Sequence, residues 1–301
     1  MKRLALRVRS ADEGERIDRF IAARGGISRG AARRALDEGG VFLDGRRCKV
    51  AGRLVRAGQE VVVNLEEAGS APAPVAPLER GRLLYADEHL VFVDKPAGVP
   101  SQPTLTSDRG HLAELVSRLL GSDAILVHRL DRETSGVTVL ARTQAAARRL
   151  AEDFRQGRPE KTYLALCAGA PRPPSGRLEA PLGKDPLHPG RRAVRPDGEP
   201  AATRYLTRAV GASGVALVEA RPETGRTHQV RVHLSHLGAP LLGDARYGGP
   251  RMVRALAIPR VMLHAQCLEL VHPATGRPLR QEAPLPDDFA AIGRALVPSP
   301  P

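Results

Sequence analysis

Apolar and polar positions follow two rhythms along this chain. Short apolar or β-branched runs at 90–93, 125–127, 137–141, 162–166, 215–220 and 263–271 are bounded by Gly, Pro, Asp or polar residues, and each predicts a strand. The opening MKRLALRVRS alternates as a strand does, and 41–43 and 61–63 repeat that signal around turn residues Asp44, Gly45 and Gly58. A helical period interrupts them. Arg16 to Ile21 open a first helix, Ser28 caps a second that ends at Gly39 and Gly40, Thr143 caps a third over 145–154, and 287–296 close the chain as a helix. Thr224 is expected to cap a further helix carrying His228, Val232, His233 and Leu237. Residues 169–200, rich in Pro, Gly and Arg, predict irregular surface structure.

The stretch AGSAPAPVAPL at 68–78 has the composition of an extended connector, so a small domain at 1–67 is expected, then a linker at 68–79, a large domain at 80–297 and a tail at 298–301. The small domain reads helix, helix, strands, and the large one mixes helix and strand, giving an α+β class. No run of about 18 apolar residues occurs, which excludes a transmembrane helix. MKRLALRVRS has no continuous apolar stretch of a secretory signal, and a cytoplasmic protein is expected. Cys48, Cys167 and Cys267 are odd in number and far apart, a spacing of core residues and not of a disulfide framework.

Charge then names a class of partner. The 301 residues hold 46 Lys and Arg against 33 Asp and Glu, a net charge of +13, and only five of the basic residues are lysines. Guanidinium forks suit phosphate, while an aromatic content of 3% without Trp leaves few rings for stacking single strands, so a reader of nucleic-acid charge and shape is favoured. Within 1–67 there are fifteen basic and ten acidic residues, and burying the Ala32/Leu36 stripe of the second helix would present Arg29 and Arg33 together as a basic face.

The candidate for chemistry is Asp131. It stands in a polar stretch, 128–136, between two apolar strands, with Arg129 and Arg132 beside it, His128 before it and a Thr134-Ser135-Gly136 turn after it. Neighbouring guanidinium charge favours an ionised carboxylate, which can serve as nucleophile, base or electrostatic partner, or simply as half of a structural Asp–Arg pair. The HRLD string is not a kinase catalytic loop, since no Asn stands five residues after Asp131 and neither DFG nor a glycine-rich ATP loop is present. Few other clustered carboxylates exist to build a magnesium cage. His228, His233 and His236 are interleaved with Arg226 and Arg231, which oppose a divalent cation, so packing and hydrogen-bonding roles are expected for them and no metal site. Of those two arginines, one suits a phosphate and the other a carboxylate.

Two resemblances build on these residues. ERIDRF (15–20), SRGAARRALDEGGVFLDG (28–45) and LVRAGQEVVV (54–63) resemble the RNA-binding domain named after ribosomal protein S-four, which implies a module docking its basic helical face on structured RNA. KPAG (95–98), HRLDRETSG (128–136), KTY (161–163), TGRTHQVRVHLSHLG (224–238), GDARYG (243–248) and LHAQCLELVHPATG (263–276) resemble the RluA/RluD family of RNA pseudouridine synthases. The resemblance implies a catalytic domain with a mixed, mainly antiparallel sheet and a central cleft, with Asp131 as catalytic aspartate, Tyr163 as active-site tyrosine and Arg231 as the arginine that positions the aspartate. Arg129 and Arg132, with Arg226, become candidates for RNA contact. After KPAG many members continue toward a His-Pro pair, whereas this chain reads VPSQP.

The resemblance further implies an isomerase acting on structured RNA, by expectation 23S-type ribosomal RNA or its assembly intermediates, as a monomer without an obligate protein partner. The reaction breaks uracil N1–C1′, turns the base and joins C5 to C1′, so it needs no cofactor. Asp131 could attack C1′ or remove the ribose 2′ proton, and Tyr163 could pack against the base and help remove the C5 proton. The competing readings are a synthase of tRNA or dual specificity, a noncatalytic RNA-binding assembly factor, and a glycosidase, for which no well-placed second acid is evident.

Overall fold

A computed structural model describes residues 2–65 and 76–297. The chain separates into two compact units, Met1–Pro77 with Gln102–Leu115, and Leu78–Ser101 with Val116–Pro301. Residues 68–75 of the expected linker and the whole 298–301 tail lie outside the described residues. Gln102–Leu115, within the span expected for the large domain, group with the first unit. There Arg47 donates to the Thr104 carbonyl at 2.6 Å, Asp108 N–H to the Glu38 carbonyl at 3.0 Å, and Lys49 pairs with Asp108 at 3.0 Å.

The first unit sets two helices, α1 (Ile17–Gly25) and α2 (Arg29–Glu38), on a four-stranded antiparallel sheet of β1 (Lys2–Arg7), β2 (Val41–Leu43), β3 (Arg46–Arg47) and β4 (Glu60–Leu65) in the order β1-β4-β2-β3. Local chemistry sets the helix ends. Ser28 Oγ accepts from Ala31 N–H at 3.1 Å, and Gly26 and Gly39 close the two helices in the left-handed region, where a side chain is unfavourable. Ile17, Phe20, Ile21, Ala32 and Leu36 from the helices meet Val41, Leu43, Val61 and Val63 from the sheet in one core. Burying that stripe leaves the arginines of α2 outside.

The second unit is built on a ten-stranded sheet. In chain order its strands are β5 (Leu83–Ala86), β6 (Leu90–Lys95), β7 (Ile125–Leu126), β8 (Ser135–Ala141), β9 (Glu160–Cys167) and β10 (Ser175–Glu179). A two-stranded ribbon, β11 (Leu182–Lys184) with β12 (Arg192–Val194), interrupts it, and β13 (Ala202–Val210) and β14 (Ala216–Pro222) resume it. A second ribbon, β15 (Met252–Val253) with β16 (Leu256–Ala257), precedes β17 (Leu263–Val271) and β18 (Pro278–Glu282). The main path runs β10-β13-β14-β9-β17-β8-β6-β5, with β18 beside β17 and β7 beside β8. Only β17 with β8 is parallel, so the sheet is mixed and mainly antiparallel. Continuous burial of β6 and β8 explains why their sequences are apolar runs without alternation.

Helix α3 (Leu112–Leu120) contains the division between the units, and α4 (Gln144–Arg155), α5 (Gln229–His236) and α6 (Asp287–Leu296) follow. Apolar residues of α4 meet β6 and β8, those of α5 meet β9 and β14, and Phe289, Ile292 and Leu296 of α6 meet Leu166 and Met262. Thr143 caps α4, its Oγ1 accepting from Ala146 N–H at 3.2 Å. Two expectations are corrected. Residues 169–200 are not irregular throughout, because β10 to β12 lie there, paired through backbone hydrogen bonds that a Pro- and Gly-rich composition hides. Thr224 does not cap α5: the helix starts at Gln229 after His228, and Thr224 Oγ1 instead donates to Gln229 Oε1 at 2.7 Å.

Candidate active site

One register row across the sheet orders the site. Ala220 of β14 stands opposite Tyr163 of β9, Tyr163 opposite Ala265 of β17, Ala265 opposite Gly136 of β8, and Gly136 opposite Lys95 of β6. The loop carrying Asp131 leaves β7 and enters β8 immediately before this row. Gly136 is required there: its φ is +117°, and a Cβ would lie 2.2 Å from the Ala265 carbonyl oxygen.

The loop is held from several sides by backbone-directed side chains. Lys95, fully buried, donates from Nζ to the carbonyls of Pro96 (3.0 Å), Val99 (2.8 Å) and Arg132 (3.1 Å). Burial pulls its pKa down to about 7, against the opposing charge of Asp131 and Glu133. Gly98 N–H donates to the Arg132 carbonyl at 2.8 Å and Arg132 Nε to the Gly98 carbonyl at 2.9 Å, which locks the KPAG turn to the Asp131 turn. Ser101, in the divergent VPSQP, accepts from Leu130 N–H and donates to the Leu130 carbonyl. His128 stacks on Phe154 with ring centroids 4.3 Å apart and accepts from Val139 N–H at 3.0 Å; burial drives its pKa down to about 3. It is a neutral brace. Arg260 completes the frame, gripping Asp288 with two nitrogens and donating to the Val261 carbonyl at 3.1 Å.

Asp131 itself is 24% exposed, and Arg231 Nη1 reaches its Oδ2 at 3.0 Å across 100 residues of sequence. Arg231, on α5, is buried and held from its other edge by Asp244, Nε to Oδ2 at 2.7 Å and Nη2 to Oδ1 at 2.9 Å. Its guanidinium lies over the Tyr247 ring at 5.0 Å. Burial opposes the Arg231 charge, but the two carboxylates raise its pKa above the ordinary value. His228 enters α5 with φ +59°, an uncommon conformation for a non-glycine residue, and its Nε2 is 3.9 Å from Asp131 Oδ2. Its Nδ1 lies 2.6 Å from the Tyr247 hydroxyl, which itself accepts from Arg192 N–H at 3.0 Å. A phenolic proton donated to Nδ1 leaves the ring proton of neutral His228 on Nε2, toward Asp131. Burial lowers the His228 pKa and favours that neutral form.

Tyr163 sits at the row's centre with its phenol pushed well above the ordinary pKa, by burial first and then by the charge of Asp131. The hydroxyl is kept protonated, which suits a packing or donating group and opposes a base. The other expected residues are dispersed. Arg129 is exposed, and none of the described residues pairs with it. Arg132 is committed through Nε to the Gly98 carbonyl. Arg226 donates to Glu199 at 2.7 Å and the Pro200 carbonyl at 3.0 Å. Arg29 and Arg33 belong to the first unit, where both contact Asp18. His233 spends both nitrogens inside the fold, on Thr203 and the Ala180 carbonyl. Sequence reasoning missed Asp244, Tyr247 and the separate position of His228. The string GDARYG was visible, but nothing in it says that its aspartate faces an arginine thirteen residues earlier.

Comparison with known proteins assigns the class. A family model described as RNA pseudouridylate synthase matches residues 89–236, and an S4 domain model matches 15–61. An uncharacterized RNA pseudouridine synthase of Chloroflexus aurantiacus is 40% identical over 94% of this chain and 90% of its own length. Ribosomal large subunit pseudouridine synthase D of Xanthomonas campestris is 37% identical over 87% of this chain and 82% of its own. The dual-specificity RNA pseudouridine synthase RluA of Escherichia coli is 41% identical over 67% and 92%. Among solved structures, human RNA pseudouridylate synthase domain containing 4 superposes with a TM-score of 0.60 at 29% identity, over 73% of this chain and 94% of that one. The chain belongs to the RluA/RluD family of RNA pseudouridine synthases and carries an N-terminal S4 domain.

Proposed function

We propose that this enzyme isomerises specific uridines of large-subunit ribosomal RNA, with Asp131 as the catalytic carboxylate, Arg231 as its positioning partner and Tyr163 as the ring that packs on the base. The observation carrying this reading is the chain Asp131–Arg231–Asp244: a partly accessible carboxylate aimed by a buried, doubly held guanidinium. Asp131 either bonds to C1′ as uracil departs and is displaced when C5 of the turned base joins C1′, or takes the 2′ proton as uracil departs, giving a glycal, and returns it to C2′ as C5 closes on C1′. The proton lost from C5 is balanced by the one gained at N1, so no redox partner or external group enters. Tyr163, its phenol pushed up by burial, is placed to support the turned base.

A base inside a helix must leave its stack to reach Asp131, at a cost of a few kcal/mol that is least for a loop or bulge. Exposed Arg129 is suited to that step or to phosphate contact, and Arg29 and Arg33 to docking elsewhere on the RNA. The ribosomal assignment is supported by the likeness to the large-subunit enzyme, which takes in 87% of the chain, against 67% for the dual-specificity one. Asp131→Asn is expected to abolish tritium release from 5-tritiated uridine in ribosomal RNA while RNA binding stays within about threefold; undiminished release would refute the catalytic assignment. Site-resolved pseudouridine maps with and without the gene identify the uridine, and a missing tRNA site in place of a ribosomal one would favour the alternative substrate.

A further inference from the structure

A buried acid in the first unit is not explained by folding alone. Asp18, on α1, has no exposed surface, yet it sits among arginines of both helices. Its Oδ1 accepts from Arg16 Nε at 3.2 Å and from Arg19 N–H at 3.0 Å, and its Oδ2 from Arg29 Nε at 3.0 Å and Arg33 Nε at 2.9 Å. Burial pushes the Asp18 pKa up, but the bonds from Arg16, Arg33 and Arg29 outweigh it and hold the carboxyl below the ordinary range. It is therefore an anion at every physiological pH.

Two features distinguish this cluster from an ordinary tie between helices. Joining α1 to α2 needs one arginine at most, and a well-packed apolar pair would do it without burying a charge. Two from α2 are used, and Arg16, immediately before α1, adds a third to the same carboxylate, leaving the cluster with an excess of two positive charges. In addition, the bond to Asp18 runs through Nε in all three, while the side chains are 42%, 43% and 51% exposed. The terminal nitrogens, the fork that matches phosphate bidentately, are the part not spent on Asp18 in these pairs.

We propose that Asp18 is a positioning residue that assembles Arg16, Arg29 and Arg33 into a preorganised receptor for the phosphodiester groups of structured RNA. Resting on the RNA-docking reading above, it adds Arg16 to the surface and gives the surface an internal organiser. The buried anion gathers three cations that would otherwise repel one another, and it restricts three flexible side chains before the RNA arrives, so less rotamer entropy is lost on binding.

The test turns on a sign. Asp18→Asn keeps the volume and raises the net charge of the full-length enzyme by one. If the surface acts only through its summed charge, ribosomal RNA fragments bind tighter; if Asp18 organises it, they bind weaker. The expected result is a dissociation constant and KM both about tenfold higher, with kcat changed much less, in a protein whose thermal transition remains cooperative. Equal or tighter binding overturns the proposal. Arg16→Gln, Arg29→Gln and Arg33→Gln should each weaken binding and lower the slope of log affinity against log salt by roughly 0.7–0.9. In an Arg29→Gln/Arg33→Gln background Asp18→Asn should add less than twofold, and a full tenfold there counts against it. Should Asp18→Asn unfold the unit, Arg16→Gln decides: wild-type affinity in that variant overturns the receptor. If no arginine variant alters RNA affinity, the docking reading itself falls; if all do and Asp18→Asn does not, only the organising role falls.

Discussion

At the scale of single residues, the proposed catalytic centre is a problem in aiming one side chain. A guanidinium has two usable edges, and the Nε/Nη2 edge of Arg231 is taken by Asp244, so Nη1 is left with one direction, toward Asp131. With Asp131 as the proposed catalytic group, Asp244 is expected to act on the reaction only through Arg231. Asp244→Asn, which can accept from one N–H of the pair but turns a donor toward the other, is expected to lower kcat about 10- to 100-fold, since small misplacements of a reacting group cost that much. Steady-state kinetics of Arg231→Met and of the double variant check this: Asp244→Asn should cost little more once Arg231 is gone. Additive losses would show that Asp244 acts by another route. Asp131 stood out as a candidate from its local setting, a polar island between apolar strands, which left a structural Asp–Arg pair equally open. Arg231 and Tyr163 were named through family likeness, and Asp244 was not assigned a role, because partners 100 and 13 residues apart leave no periodicity to read.

At the scale of elements, the sequence was most informative where local chemistry and burial agree. The caps Ser28 and Thr143, the αL glycine Gly39 and the continuous apolar runs of β6 and β8 were all readable, because each signal lies within a few residues of its effect. The start of α5 was misread for the converse reason. Thr224 looks like a cap, but it bonds Gln229 and Ala202 N–H, and the entry instead passes through His228 at φ +59°. The ribbon β11–β12 was missed because its pairing is set by backbone bonds within a segment with little apolar pattern. Close approach of β8 to β17 makes Gly136 an exacting position of the frame. Gly136→Ala places a methyl carbon against the Ala265 carbonyl in a backbone region that alanine avoids, and is expected to destabilise the protein by at least about 3 kcal/mol. Urea titration followed by circular dichroism measures it; a midpoint within error of wild type would contradict the packing described.

For the whole molecule, buried histidines give acid sensitivity with a definite sign. His264 has no exposed surface and uses both nitrogens, Nδ1 with Ser135 Oγ at 3.0 Å and Nε2 with the Ala283 carbonyl at 3.3 Å. Burial sets its pKa at about 4 and that of His128 at about 3, against about 6.5 for a histidine in an unfolded chain. Between these values the unfolded chain binds protons that the folded one refuses, so stability falls as pH drops below about 6.5, by at most about 1.4 kcal/mol per pH unit for His264. Asp87, held near 2 by its backbone and side-chain bonds in spite of burial, responds only at lower pH. Thermal midpoints between pH 7.5 and 4.5 should therefore decline, and His264→Gln should flatten the decline; an unchanged slope would show that other groups carry it.

The parallel pair β8–β17 joins strands that begin at residues 135 and 263, and the Ser135–His264 bond spans 129 residues. A chain emerging from the ribosome thus carries Asp131 long before it carries the strand that pairs with β8 just after its loop. Loop closure over such a span is entropically slow to reward. A chain that ends before β17 lacks the strand paired with β8 at Ser135 and Gly136, and with Asp131 as the proposed catalytic group, turnover is expected to appear only once that strand is present.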